Sequence, residues 1–260
     1  MSFLPGRDLF QTRSELGKPQ NGLLALVTMG VTATLVIAFF FFFDGLFIGS
    51  TLISQGIVMF VGQILVAQMI LRRDQLRARW GIRAFAIAFR WLALPGLTCI
   101  LIGVAHFAWI EGARIVPREI AIIPFVYLLG SGILLWVRAV ITFGIDNLSL
   151  MYVYFPNESR LVNSNVYSIL RHPVYSAVLR FVFALVLWNG SAFALFAGCV
   201  APIAMTVWLR WAEEAELIER FGDGYREYRA RVPAFFNLNP KTWVGLWRFL
   251  VRGNKSQAGE

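Results

Sequence analysis

From Gly22 to Phe43 the chain carries no charged residue, and from Leu46 to Leu71 it again carries none. A helix rises about 1.5 Å per residue, so runs of this length match the roughly 30 Å hydrocarbon core of a bilayer. In lipid the backbone must satisfy its own hydrogen bonds, which leaves a helix as the conformation for each run. Further apolar runs follow at 85–110, 120–143, 174–188 and 191–211. The 58% hydrophobic and 15% charged composition is unlike that of a soluble domain. The sequence therefore predicts an all-α, multi-pass integral membrane protein of about six transmembrane helices.

Residues 1–21 are polar and read as a cytoplasmic lead with a short interfacial helix. No small-residue cleavage site follows the first apolar run, so that run is expected to be retained. Asp44-Gly45 marks a turn, residues 72–79 a basic loop, Pro95 a kink and residues 144–170 a more polar connection. The arms 174–188 and 191–211 form a hairpin about Asn189-Gly190. Beyond Trp211 the chain turns hydrophilic, with i, i+4 pairs Glu216–Arg220 and Glu227–Arg231. The resulting divisions are the lead 1–21, N-terminal membrane helices 22–119, a core 120–240 and an aromatic, basic tail 241–260 lying on the interface.

Six crossings starting from inside place only the turns 44–45, 111–119 and 189–190 outside. Of 24 Lys and Arg, only Arg114 and Arg118 fall there. That bias puts the N- and C-termini in the cytoplasm. The net charge of +9 has the same origin and implies contact with anionic lipid rather than nucleic acid. Cys99 and Cys199 lie in separate apolar runs, and the only histidines are His106 and His172. Free buried thiols and no metal centre are expected. Nothing in the sequence sets the oligomeric state.

Two polar clusters stand out. Pro173 suits the first turn of a helix, which places Arg171 and His172 at a helix N-terminus, a position that favours a carboxylate or other anion. Tyr175 follows within a turn. Glu213 and Glu214 stand at the other end of the hairpin, so one excursion across the membrane and back returns both clusters to one face. Neighbouring helical residues point about 100° apart, so one of the two carboxylates is expected in a shared site and the other toward Arg210 or solvent. A carboxylate in a cleft suits a cationic ligand. Gly130 and Gly132 fit either close helix packing or close approach of a ligand. Arg138 and the deeper Arg180 read as snorkelling anchors or substrate contacts, and Arg90 as an anchor. His106, away from the other polar groups, reads as structural.

The stretch Leu161-Val162-Asn163-Ser164-Asn165-Val166-Tyr167, then Arg171-His172-Pro173-Val174-Tyr175, then Glu213-Glu214, Leu217, Phe221-Gly222, Tyr225, Tyr228 and Val232-Pro233 resembles a family of membrane methyltransferases. That family includes the isoprenylcysteine carboxyl methyltransferases and the phospholipid N-methyltransferases. The resemblance covers about the last half of the chain. It implies S-adenosyl-L-methionine as methyl donor, with Gly130, Gly132, Arg171, His172, Tyr175, Glu213, Glu214 and Tyr225 binding it. It further implies that His172, Glu213 or Glu214 takes a proton when the acceptor is an amine, and that Arg138 and Arg180 meet a lipid-like acceptor. Localisation would be the inner membrane in a bacterium or the endoplasmic reticulum in a eukaryote. Asn165 stands where the family pattern has Gly, and Ala177 where Gly is frequent; Asn tolerates a left-handed backbone better than most residues. Membrane reductases of the sterol type, which use NADPH, carry a similar Arg-His-Pro and Phe-Gly-x-x-Tyr tail and are the alternative; a non-catalytic membrane adaptor on the same scaffold is the third reading.

Overall fold

The computed structural model describes residues 6–235, Val244 and residues 246–249. Among these residues there is no β-strand; a lone bridge pairs Arg114 with Ser191. Helix α1 (Arg7–Ser14) is followed by α2 (Pro19–Phe43), α3 (Ser50–Leu71) and α4 (Arg73–Trp80). Next come α5 (84–106), α6 (Arg118–Phe143) and the hairpin of α7 (Pro173–Asn189) and α8 (Ala192–Phe221), then α9 (Asp223–Arg231). Among the described residues, five helical paths are long and apolar enough to cross a membrane: α2, α3, the path Arg73–Trp109 through α4 and α5, α6, and α8. The remaining expected crossing, α7, has 17 residues.

The helix ends follow the sequence. Pro19 opens α2, where its missing N–H costs no intrahelical bond. At Pro95 the predicted kink is taken up by a π-turn over Phe89–Ala93, in which the Leu94 N–H bonds to the Phe89 carbonyl. A proline that cannot donate to the ladder favours such a slip in register. Small residues set the closest helix approaches. A Cβ added at Gly62 would lie 2.9 Å from the Gly96 carbonyl oxygen, and one added at Gly96 would lie 2.8 Å from that of Gly62, so α3 and α5 cross glycine on glycine. Leu26, Leu35, Phe41 and Phe42 of α2 point outward, as lipid-facing residues do.

Three turns gather at one end of the bundle. The Gly49 N–H donates to Glu111 Oε1 at 2.6 Å, Asn189 Nδ2 donates to the carbonyls of Ala108 and Ile110, and the Ile115 N–H donates to the Gly190 carbonyl. The turns after α2, α5 and α7 are thus neighbours, and the start of α7 and the end of α8 meet at the opposite end. His106 is not isolated, contrary to its sequence reading. Its Nδ1 lies 2.8 Å from Gln55 Oε1 and its Nε2 2.8 Å from Asp44 Oδ2. Gln55 Nε2 donates to the Gly103 carbonyl, so Gln55 Oε1 must accept and His106 Nδ1 must donate. Burial among the helices makes such a satisfied network the low-energy arrangement for three polar side chains.

Residues 144–170 also depart from expectation. Rather than staying polar throughout, they form two short α-helical turns, Ile145–Leu148 and Met151–Tyr154, and two 3-10 turns, Pro156–Glu158 and Asn165–Ser168, with Met151, Tyr152, Val153 and Tyr154 buried. The aromatic bodies fill the core while their hydroxyls find partners: Tyr154 donates to the Met69 carbonyl at 2.8 Å and Tyr152 to Asp146 at 2.5 Å. The lead is docked as well, with Phe10 edge-on to Phe89 at a centroid separation of 5.2 Å. Both cysteines are free; Cys99 is buried, but Cys199 is exposed on the outer face of α8 rather than buried as predicted. Of the tail 241–260, only Val244 and residues 246–249 are described, and the rest lies outside the described residues. Trp247 Nε1 donates to the Tyr127 hydroxyl at 3.2 Å, and Leu246 is buried.

Candidate active site

At the start of α7 the backbone is held by the returning chain. The Arg171 and His172 N–H groups donate to the carbonyls of Pro233 and Ala234, both at 2.9 Å, and Ser176 Oγ donates to the Phe235 carbonyl at 2.7 Å. Residues 233–235 therefore strap the mouth of the hairpin. Beneath the strap lies a single charged cluster. Arg171 Nη2 donates to Glu214 Oε1 at 2.8 Å, while Nη1 donates to the carbonyls of Arg229 and Val232. Glu214 Oε1 also accepts from Tyr225 Oη at 3.4 Å, and Arg229 Nε stands 3.3 Å from Glu214 Oε2. Glu213 Oε2 accepts from Tyr175 Oη at 2.5 Å, and the Trp208 indole donates to the same hydroxyl at 3.4 Å.

His172 joins the two carboxylates. Its Nδ1 lies 3.5 Å from Glu213 Oε1 and its Nε2 3.2 Å from Glu214 Oε1. Two carboxylates facing the ring favour its protonated form, which donates on both sides. Burial alone would lower the histidine pKa; the hydrogen bonds and charges of Glu213 and Glu214 outweigh it and hold the pKa above the ordinary 6.5. An imidazolium bonded on both sides has no lone pair with which to take a proton. His172 thus sits between the two carboxylates. Burial, reinforced by the Glu214 charge, likewise holds the Tyr225 phenol protonated, well above its ordinary range.

Both glutamates face the site, where the 100° helical spacing allowed only one. The reason is a π-turn at Leu209–Glu213, closed by the Glu214 N–H on the Leu209 carbonyl. The wider turn rotates Glu213 toward Tyr175 while Glu214 stays under Arg171. Glu216 and Arg220 pair as predicted at 3.0 Å, but Arg231 reaches the backbone carbonyl of Glu227 rather than its carboxylate.

The structure thus brings together Arg171, His172, Tyr175, Glu213, Glu214 and Tyr225. It does not bring Gly130, Gly132, Arg138 or Arg180 into that cluster. A Cβ at Gly132 would meet the Phe181 ring at 2.7 Å and Arg180 Cβ at 3.3 Å, so Gly132 lets α6 approach α7. That contact lies eight residues along α7 from His172, about 12 Å. A Cβ at Gly130 would meet nothing within 4 Å. Arg138 lies over the Phe249 ring at 5.9 Å, and Arg180 is buried between α6 and α7. Sequence reasoning missed Trp208 and Arg229. Arg229 could have been found, since it follows Tyr225 by one helical turn and shares its face; Trp208 gave no signal among so many membrane tryptophans.

Residues 122–224 match the family model described as phospholipid methyltransferase. The resemblance drawn from the ordered motifs is thereby borne out over the segment from α6 to the end of α8, which holds five of the six clustered residues; Tyr225 lies just past it. No curated protein and no solved structure gave a match.

Two expected outcomes arise here. Asn165 has φ +52°, the left-handed region that the family's glycine would occupy freely. Asn165→Gly should retain stability, whereas Asn165→Val should lose about 1–2 kcal/mol, read by thermal denaturation in detergent. The second concerns pH. Because folding raises the His172 pKa, its contribution is fully present below about 6.5 and is lost as pH rises through the higher folded value. Melting temperature should fall as pH rises from 6 to 9, and the slope should be visibly smaller in His172→Gln.

Proposed function

We propose that this protein is an integral-membrane, S-adenosyl-L-methionine-dependent methyltransferase acting on a phospholipid or similar amphipathic acceptor at the cytoplasmic membrane face. The observation that carries this reading is the buried, doubly bonded His172 between Glu213 and Glu214, set in the segment matched to phospholipid methyltransferases. The cluster fits the donor. Arg171 Nε is buried without a hydrogen-bond partner, and a ligand carboxylate would satisfy it. Tyr175, Trp208 and the partly exposed Glu213 form an electron-rich wall suited to a cation.

S-adenosyl-L-methionine supplies a methyl group already activated on a sulfonium. The protein's task is then alignment and exclusion of water rather than acid catalysis. Arg171 and His172 brace Glu214, the strap 233–235 closes the mouth, and Glu213 faces the cation. With a carboxylate acceptor no proton need move. With an amine acceptor one proton must leave, and Glu213 is the base at hand, because both carboxylates favour the protonated form of His172 and Glu214 is held by Arg171, His172 and Arg229. Arg138 on α6 and Arg180 on α7 are assigned to the phosphate or carboxylate of an acceptor entering from the bilayer. The basic bias of the sequence supports a cytoplasmic orientation for this end. Calorimetry on the purified protein tests the donor: S-adenosyl-L-methionine should bind and NADPH should not. Binding of NADPH alone would turn the assignment toward a reductase.

A further inference from the structure

We infer that the end of the bundle opposite the charged cluster carries a second binding site, for a phosphate group, built by Arg114 and Arg118. A cavity of about 260 Å³ opens there, lined in part by Trp109, Gly112, Arg114, Arg118, Trp188 and Asn189. The carbonyls of Ala108, Ile110 and Trp188 in its wall already accept hydrogen bonds. Asn189 Nδ2 donates to Ala108 and Ile110, and Arg114 donates to the carbonyls of Trp188 at 2.8 Å and Val116 at 3.3 Å. These bonds orient the Arg114 fork. The Arg118 guanidinium stacks over the Trp188 ring, 5.4 Å from its centroid.

Neither arginine has an ion-pair partner among the described residues. Glu111 is engaged by the Gly49 N–H, and the Glu119 side chain, exposed, reaches neither guanidinium. The cavity therefore presents two cations without a carboxylate partner among the described residues, at the N-terminus of the 26-residue α6, whose dipole adds positive potential. Planar guanidinium forks match the oxygen geometry of phosphate. The setting narrows the source. Trp109 is 70% exposed at the level where the helices end, and Ile120 and Ile123 of α6 are 66% and 75% exposed just beyond. A phosphodiester headgroup held by the arginines would lay its acyl chains along those isoleucines, so a phospholipid of that leaflet fits better than a free anion. These two are also the only basic residues on the three turns of this end, so general topology signals do not account for them.

The test uses the purified full chain in detergent, with melting temperature read against short-chain phosphatidylglycerol or inorganic phosphate. Arg118→Gln is the main variant because the Arg118 guanidinium holds no backbone carbonyl; Arg114→Gln is the second. Phosphatidylglycerol should raise the wild-type melting temperature, and the rise should fall to half or less in Arg118→Gln. If inorganic phosphate reproduces the Arg118-dependent rise, the site holds and its ligand is a free phosphate anion. A rise of equal size in wild type and both variants, or no rise with either ligand, overturns the site.

Discussion

Glu214→Ala should collapse the charged end of the hairpin. Glu214 is 3% exposed and is the shared partner of Arg171, His172, Tyr225 and Arg229. Its removal leaves an arginine and an imidazolium buried side by side with half their compensation gone. Breaking one partner out of a buried ionic network costs about 3–5 kcal/mol, because the charge left behind has neither water nor a counterion. A large drop in melting temperature is expected, together with loss of donor binding. The exposed Glu227→Ala is the control and should change stability by no more than about 0.5 kcal/mol. Glu214→Gln should fall between, since the amide keeps an acceptor oxygen but loses the charge.

Glu213→Gln should separate function from folding. Glu213 is less buried, and its Tyr175 hydrogen bond can be kept by the amide oxygen. Stability should therefore fall less than in Glu214→Ala, by about 1–3 kcal/mol, because His172 keeps Glu214 but loses one of its two charged partners. Turnover should nevertheless fall by about a hundredfold or more. A neutral amide attracts a cationic donor weakly and cannot take a proton from an amine acceptor. Methyl transfer and melting temperature measured on the same preparation distinguish this from Glu214→Ala, where both should fail together. Equal activity in wild type and Glu213→Gln would remove Glu213 from the site.

The helices were legible because lipid leaves the backbone little choice. The apolar run 22–43 became α2 with its end at Phe43, and 120–143 became α6 with its end at Phe143. The hairpin turn was legible too, since Gly190 takes φ +70° and Asn189 ties the turn to residues 108–110. The site was legible as a set of residues but not as geometry. Nothing local to Leu209–Glu213 announces a π-turn, so the joint use of Glu213 and Glu214 could not be read from helical spacing. Pairings across long separations were equally hidden: Asp44 with His106, and Arg229 with Glu214 through the fold of α9. The inward course of residues 151–154 was masked by the polar residues on either side. Asn165 is the opposite case, where one departure from a family pattern foretold a backbone conformation.

Transfer of label from S-adenosyl-L-methionine carrying an isotopic methyl group into a lipid extract, catalysed by the purified protein in bilayer discs, tests the assignment most directly. Wild type should place label in the lipid fraction, Glu213→Gln should place about one hundredth as much, and Glu214→Ala essentially none. Absence of label from every lipid with wild type, or equal label with all three proteins, would contradict it.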